Sequence, residues 1–359
     1  MIKNHKVIVC AGSGGVGKTT LASTIAVRAC QLGRRTLVLT VDPAKRLATA
    51  LGIDLFDDKD HRVHLPHGHS ALHAAVIDSK KIFDRFLQEH SDHNDVVHRI
   101  MNNRLYQQMS TTLAGSQEFT ALERLLASVE SGKYDLVVLD TPPTKHAVDF
   151  FTAPERIQSL FQEGITKWFS PIAETAKGGL IANLFGRGTR TVIKSLEVLT
   201  GGQFIEELID FFSSIRSIQK VILERSERVS ELLKSKETAF VIVTSFDAAK
   251  LLEAKYLQKQ IDSFKCRLKF FVINRAFPIW LPEPSSLSSE ERSEPAQSVF
   301  RLFQEFRQYY DSIYRQYDEF ERDVDPSIGL VRIPEYGQDV VGLKDLVELA
   351  SALETYSVR

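Results

Sequence analysis

Residues 12 to 19 read Gly12-Ser13-Gly14-Gly15-Val16-Gly17-Lys18-Thr19, and Thr20 follows. Glycines let backbone N–H groups curl around a phosphate, a lysine neutralises the β- and γ-phosphates, and the threonine hydroxyl suits Mg2+. The run fits GxxxxGK[ST], which needs a strand before it and a helix N-terminus after it. Both are expected here, because an apolar run ends at Cys10 and a helical pattern begins near Thr19. The loop, from Gly12 to Thr20, therefore predicts a nucleoside-triphosphate site in which Lys18 also acts on the transferred phosphoryl group.

Two carboxylates follow at strand ends. Asp42 lies in Thr40-Val41-Asp42-Pro43-Ala44-Lys45. A carboxylate at the carboxyl end of a parallel strand faces the ligand crevice, where it could orient or deprotonate attacking water. Asp140 closes the apolar run 136–139 and opens Asp140-Thr141-Pro142-Pro143-Thr144-Lys145-His146. That placement suits an acid holding Mg2+ through water beside Thr19.

The elements that would position these residues are legible as alternation. Short runs rich in Val and Ile occupy 6–10, 36–41, 72–77, 136–139, 239–243, 270–273 and 330–333. Helical periodicity fills 19–31, 117–131, 248–261 and 344–353. Strand and helix in turn predict an α/β fold with a mainly parallel central sheet flanked by helices. The segment 151–233 breaks the pattern and reads as helical, so the expected organisation is a nucleotide-binding core at 1–150 and 234–359 with a helical insertion subdomain between. Leu208, Phe211, Ile215, Ile218, Ile222, Val229 and Leu232 predict one long amphipathic helix at its end. Residues 282–295, rich in Ser, Glu and Pro, read as an exposed loop.

Composition narrows the classes. The 359 residues carry 45 Lys and Arg against 46 Asp and Glu, a formal charge of -1 that argues against a nucleic-acid partner. No apolar run is long enough to span a membrane. Cys10, Cys30 and Cys266 are scattered, which excludes a disulfide framework and a CxxC metal site and suits a reducing cytoplasm. Eight of the ten histidines fall between His61 and His98. Alternate residues of a strand point to opposite faces, so these imidazoles are read as a polar surface rather than a metal centre.

The series GGVGKTT, DPA and DTPPT resembles the anion-transporting ATPase family, which includes the arsenite-pump ATPase and the tail-anchored-protein targeting factor. The resemblance continues through AGSQE at 114–118, FVIVT at 240–244, VINR at 272–275 and IPE at 333–335, nearly the whole chain. It implies ATP and Mg2+ as ligands, with Asp42 and Pro43 in one switch and Asp140, Pro143 and His146 in a second. Asn274 would read the adenine edge and Pro334 would flank the base. It also implies a cytoplasmic homodimer facing across two ATPs, whose opening and closing binds and releases an apolar client segment or a membrane-associated partner.

Three departures from the family pattern qualify that reading. Ser13 stands where the family carries a second, signature lysine. Either Lys45, Arg46 or Lys145 supplies that cation or hydrolysis is slow, and slowness would suit a nucleotide-dependent regulatory switch. Unclustered cysteines disfavour an arsenical pump-driving subunit, because soft metalloids need converging thiolates. Met1, Met101 and Met109 all lie outside the insertion, which is instead rich in phenylalanine (Phe151, Phe161, Phe169, Phe185, Phe204, Phe211, Phe212) with Trp168. Those aromatics could form either a client groove or simply the subdomain core.

Overall fold

A computed structural model describes residues 1–41, 46–52, 59–65, 70–91, 94–109, 116–142, 144–159, 207, 211, 214, 216–276, 294–336, 340 and 342–356. In chain order the described elements are β1 (Val7–Gly12), α1 (Lys18–Gln31), β2 (Thr36–Thr40), α2 (Arg46–Leu51), β3 (His61–Val63) and β4 (Leu72–Val76). Next come α3 (Ser79–His90), α4 (Asn94–Asn102), α5 (Arg104–Met109), α6 (Ser116–Glu130), β5 (Leu136–Asp140) and α7 (Thr144–Ser159). After them run α8 (Gln219–Lys234), β6 (Thr238–Ser245), α9 (Ala248–Ser263), β7 (Leu268–Ala276), α10 (Glu294–Asp323), β8 (Gly329–Pro334) and α11 (Gly342–Ala352). The chain divides into two compact units, one of Met1–Val76, Ser131–Val148 and Lys234–Arg359, the other of Ile77–Glu130 and Asp149–Leu233.

The first unit is an eight-stranded sheet in the order β3-β4-β2-β5-β1-β6-β7-β8. All neighbours pair in parallel except β3, which runs antiparallel to β4. Every residue of β1, β2 and β5 is buried, as near-continuous apolar strands require when both faces are covered. Alternation divides the core between those faces. Ile8, Cys10, Val38, Val138, Val241, Val272 and Val331 pack with α1, α2 and α11. On the other face Phe271 meets Phe320 of α10 edge to face at 5.1 Å, and Phe246 lies 4.9 Å from the ring of Tyr317. These contacts establish the expected α/β sheet flanked by helices.

Every described element of the second unit is a helix. Phe86, Leu87, Val96, Val97, Ile100, Tyr106, Phe119, Phe211, Ile218 and Ile222 form its core. Asp78 caps α3 by accepting from the Lys81 backbone N–H at 3.2 Å. Across the core, Tyr106 donates to Asp84 at 2.5 Å. Arg225 of α8 makes a buried fork to Glu123 of α6, with Nε to Oε2 at 2.9 Å, and reaches Glu130 at 2.7 Å.

Three sequence expectations change. The helix predicted from Leu208 to Leu232 is broken by a turn at Ile218, and the regular α8 starts at Gln219. The exposed loop expected to reach 295 gives way at Glu294 to α10, a helix of 30 residues whose first turn accommodates Pro295. Beside the predicted strands stands β3, three residues long and antiparallel at the sheet edge. From the insertion, residues 160–206 lie outside the described residues, as do the phenylalanines and Trp168 that fall within them.

Candidate functional site

Register brings the site together. Asp140 pairs with Cys10 of β1 on one side and Thr40 of β2 on the other, so the ends of three central strands coincide. Thr40 donates its hydroxyl to Asp140 Oδ2 at 3.0 Å, and Thr19 donates to the same oxygen at 2.7 Å. Thr141, just past β5, extends this pairing, its N–H and Oγ1 both donating to the Cys10 carbonyl at 3.1 and 2.9 Å. A buried carboxylate and two hydroxyls form an oxygen-only donor set, which fits a hard divalent cation such as Mg2+.

The phosphate loop between β1 and α1 owes its shape to glycines. Gly12 pairs with Val243 of β6, and a Cβ there would collide with the Val243 carbonyl oxygen. Gly17 has φ +91°, in the left-handed region, and a Cβ would strike the Asn274 side-chain amide. Gly17 is also the N-cap of α1 and has no side chain to satisfy the first-turn N–H groups, which leaves them suited to an anion. Lys18 is buried and donates to the Ser13 carbonyl at 2.7 Å.

Ser13 is buried too, and its hydroxyl donates to Glu253 of α9. Hydrogen bonding from Ser13, with Lys250 adding its charge at 3.3 Å, holds the Glu253 carboxyl below its ordinary range. On the other flank, Asn274 at the end of β7 donates to the Val16 carbonyl at 2.9 Å. A register shift between Ile273 and Ala276, with Arg275 at φ +52°, marks this strand end as irregular. Pro334 ends β8 opposite Ala276.

The predicted site residues thus fall into two groups. Gly12, Ser13, Gly17, Lys18, Thr19, Asp140 and Asn274 are joined by the contacts above, while Thr20 sits on α1 and Pro334 two strands from β6. Asp42, Pro43, Lys45 and Pro143, and the side chains of Arg46, Lys145 and His146, lie outside the described residues. Thr40, Lys250 and Glu253 were not anticipated as site residues. The signal for all three is topological: β2 lies beside β5, which sets Thr40 opposite Asp140, and β6 lies beside β1, so the helix that follows β6 and carries Lys250 and Glu253 starts next to the phosphate loop. All three cysteines are free and buried. Burial raises the thiols of Cys30 and Cys266 to about 11 and pushes Cys10 higher still. Of the histidines, His73 lies on β4 with its ring 5.5 Å from Tyr134, while His67, His69 and His93 are outside the described residues.

The family model for the anion-transporting ATPases matches residues 5–355. The chain belongs to that family. Among curated members of the anion-transporting ATPases it is 24% identical over 353 residues to an Aspergillus niger protein named ATPase get3, covering 98% of this chain and 91% of that protein. An Aspergillus terreus protein of the same name is 24% identical over 352 residues, with the same coverage. A Malassezia globosa ATPase GET3 is 25% identical over 284 residues, 79% of this chain and 76% of that protein. Among the described residues no helix is long and apolar enough to cross a membrane.

Proposed function

We propose that this member of the anion-transporting ATPases hydrolyses ATP to ADP and phosphate in the presence of Mg2+. The observation that carries the reading is the convergence of Lys18, Thr19, Thr40 and Asp140 at the carboxyl ends of β1, β2 and β5 around a loop that excludes side chains at Gly12 and Gly17. Lys18 would exchange the Ser13 carbonyl for phosphate oxygens, and the N–H groups at the start of α1 would take the anion. Thr19 and Asp140 would hold Mg2+, Asp140 through water. Bound there, Mg2+ would neutralise charge on the β- and γ-phosphates. Asp42 would orient or deprotonate the attacking water, with Pro43, Pro143 and His146 in the segments that respond to loss of the γ-phosphate. Asn274 and Pro334 stand on strand ends where a base would lie beyond the phosphates, favouring adenine.

A single phosphate loop per chain supports a homodimer as the working assembly, and the resemblance to the targeting-factor members of the family supports a client, an apolar protein segment, bound and released as nucleotide changes. Three free thiols support a cytoplasmic setting. The core and insertion boundaries at 1–150, 151–233 and 234–359 belong to the same proposal. Turnover in wild type and in Asp42→Asn tests the chemistry, and equal rates would remove Asp42 from it. Sedimentation with and without Mg-ATP tests the assembly, because an unmoved monomer–dimer balance contradicts it.

One observation favours a second reading, a slow nucleotide-dependent switch that binds a folded partner. Ser13 replaces the signature lysine, and its hydroxyl is engaged within its own chain by Glu253. Capture on an Asp42→Asn variant loaded with ATP separates the two, since a folded partner retained in place of apolar segments selects the switch.

A further inference from the structure

Residue 13 joins two things that the phosphate-loop chemistry does not itself require to be joined. Its carbonyl receives the Lys18 ammonium at 2.7 Å, and its hydroxyl is given to Glu253, a residue 240 positions further along the chain. Glu253 is not adrift on the surface. Lys250, one turn earlier on α9, lies 3.3 Å from it. The start of α9 is fixed in its turn, with Asp247 accepting from the Lys250 N–H at 3.1 Å and Thr244 of β6 donating to the Lys250 carbonyl at 2.9 Å. An unbroken series of bonds therefore runs from strand β6, through α9, to the lysine that meets phosphate.

We infer that Glu253 is a positioning residue for nucleotide binding, anchoring the phosphate loop through Ser13 so that Lys18 is held in place before a triphosphate arrives. The inference rests on the nucleotide-binding reading above and adds a residue outside the loop to it. Gly15 and Gly17 both have positive φ, 78° and 91°, so the loop is built from residues that lose most conformational freedom on ordering. An external anchor removes part of that loss before the ligand binds.

Two effects of Glu253 oppose one another. Its hydrogen bond organises the loop, while its negative charge repels a polyphosphate. The carboxylate is 44% exposed and paired with Lys250, so water and the lysine screen the repulsion. The hydroxyl-to-carboxylate bond, by contrast, is a direct charge-assisted contact from a buried serine. Anchoring wins, and removing Glu253 weakens binding rather than tightening it.

Calorimetric titration of the full chain with Mg-ATP and Mg-ADP tests this. Glu253→Ala and Ser13→Ala should each raise the dissociation constants about tenfold, the range expected for one charge-assisted hydrogen bond. Because both remove the same bond, the double variant should be no weaker than the weaker single one. Glu253→Gln keeps a carbonyl acceptor without the charge and should restore affinity to within about threefold of wild type. In steady-state hydrolysis the loss should fall on KM rather than kcat. Additive losses, tighter binding by Glu253→Ala, or Glu253→Gln as weak as Glu253→Ala would each overturn the anchor. Wild-type protein that binds neither nucleotide overturns the nucleotide reading itself, whereas tight wild-type binding with unchanged variants overturns the anchor alone.

Discussion

Each compact unit buries a cluster of charged side chains, and the two clusters are built on different plans. At the phosphate loop, Lys18 donates to a backbone carbonyl and Asp140 accepts from two threonine hydroxyls. Those are neutral groups, of the kind that a phosphate or a cation can replace. In the helical unit, Arg225 forks onto Glu123 and also reaches Glu130, which Arg228 meets at 2.5 Å. There cation and anion close on each other, and a ligand would have to pull them apart. Buried charge alone therefore does not mark a site: Lys18 and Asp140 meet a carbonyl and two hydroxyls at strand ends, whereas Arg225 is forked onto a carboxylate inside a helical core.

The largest test of that contrast is in the helical unit. The Arg225 and Glu123 side chains are only 8% and 5% exposed, so Arg225→Ala strands a buried carboxylate and should destabilise by about 3–5 kcal/mol in urea unfolding. Replacing both, as Arg225→Met with Glu123→Leu, should recover most of that loss, as expected of a structural rivet. At the loop the effects should reverse. Lys18→Ala should lower kcat/KM for ATP by about 100- to 1000-fold, as loss of a cation that acts on developing charge does, with little change in the urea midpoint. Asn274→Ala removes the bond to Val16 and should weaken Mg-ATP binding about tenfold.

The smallest effect belongs to the exposed pair at the opposite ends of the strands. Arg35 gives Asp135 two side-chain hydrogen bonds and one from its backbone, which lowers the Asp135 carboxyl from 3.8 to about 2. A depressed folded value means that the contribution is complete above about pH 4 and is lost as pH falls through about 2. Solvent screens both partners, so the difference in urea midpoint between wild type and Asp135→Asn should be small at pH 5 and absent below pH 2. A large difference at pH 5 would show that exposed pairs carry weight here that the contrast denies them.

Much of the first unit was legible because its physics is local. Buried parallel strands must be apolar runs, and a loop that wraps phosphate must be glycine-rich and end in Lys-Thr, so β1, β2, β5 and residues 12–19 could be read directly. The helix α10 was legible in principle: Phe300, Phe303, Phe306, Tyr314, Tyr317 and Phe320 recur at helical spacing. The Ser, Glu and Pro of the preceding stretch obscured where that pattern began. The strand β3 is too short for periodicity to register. Glu253 was illegible for a different reason. Its bond to Ser13 depends on β6 standing beside β1, and no spacing within the sequence encodes which strands are neighbours.

The sealed thiols have a practical consequence. Thiolates, not thiols, attack maleimides, and with Cys30 and Cys266 raised to about 11 and Cys10 above them, all three buried, the folded chain offers no fast-reacting sulfur near neutral pH. A cysteine introduced at an exposed position, such as Leu252→Cys on α9, would then be the only one to take up a dye quickly. The protein comes ready for single-site labelling, so the proposed assembly and its response to nucleotide can be tested by distance measurements without first stripping out its own cysteines.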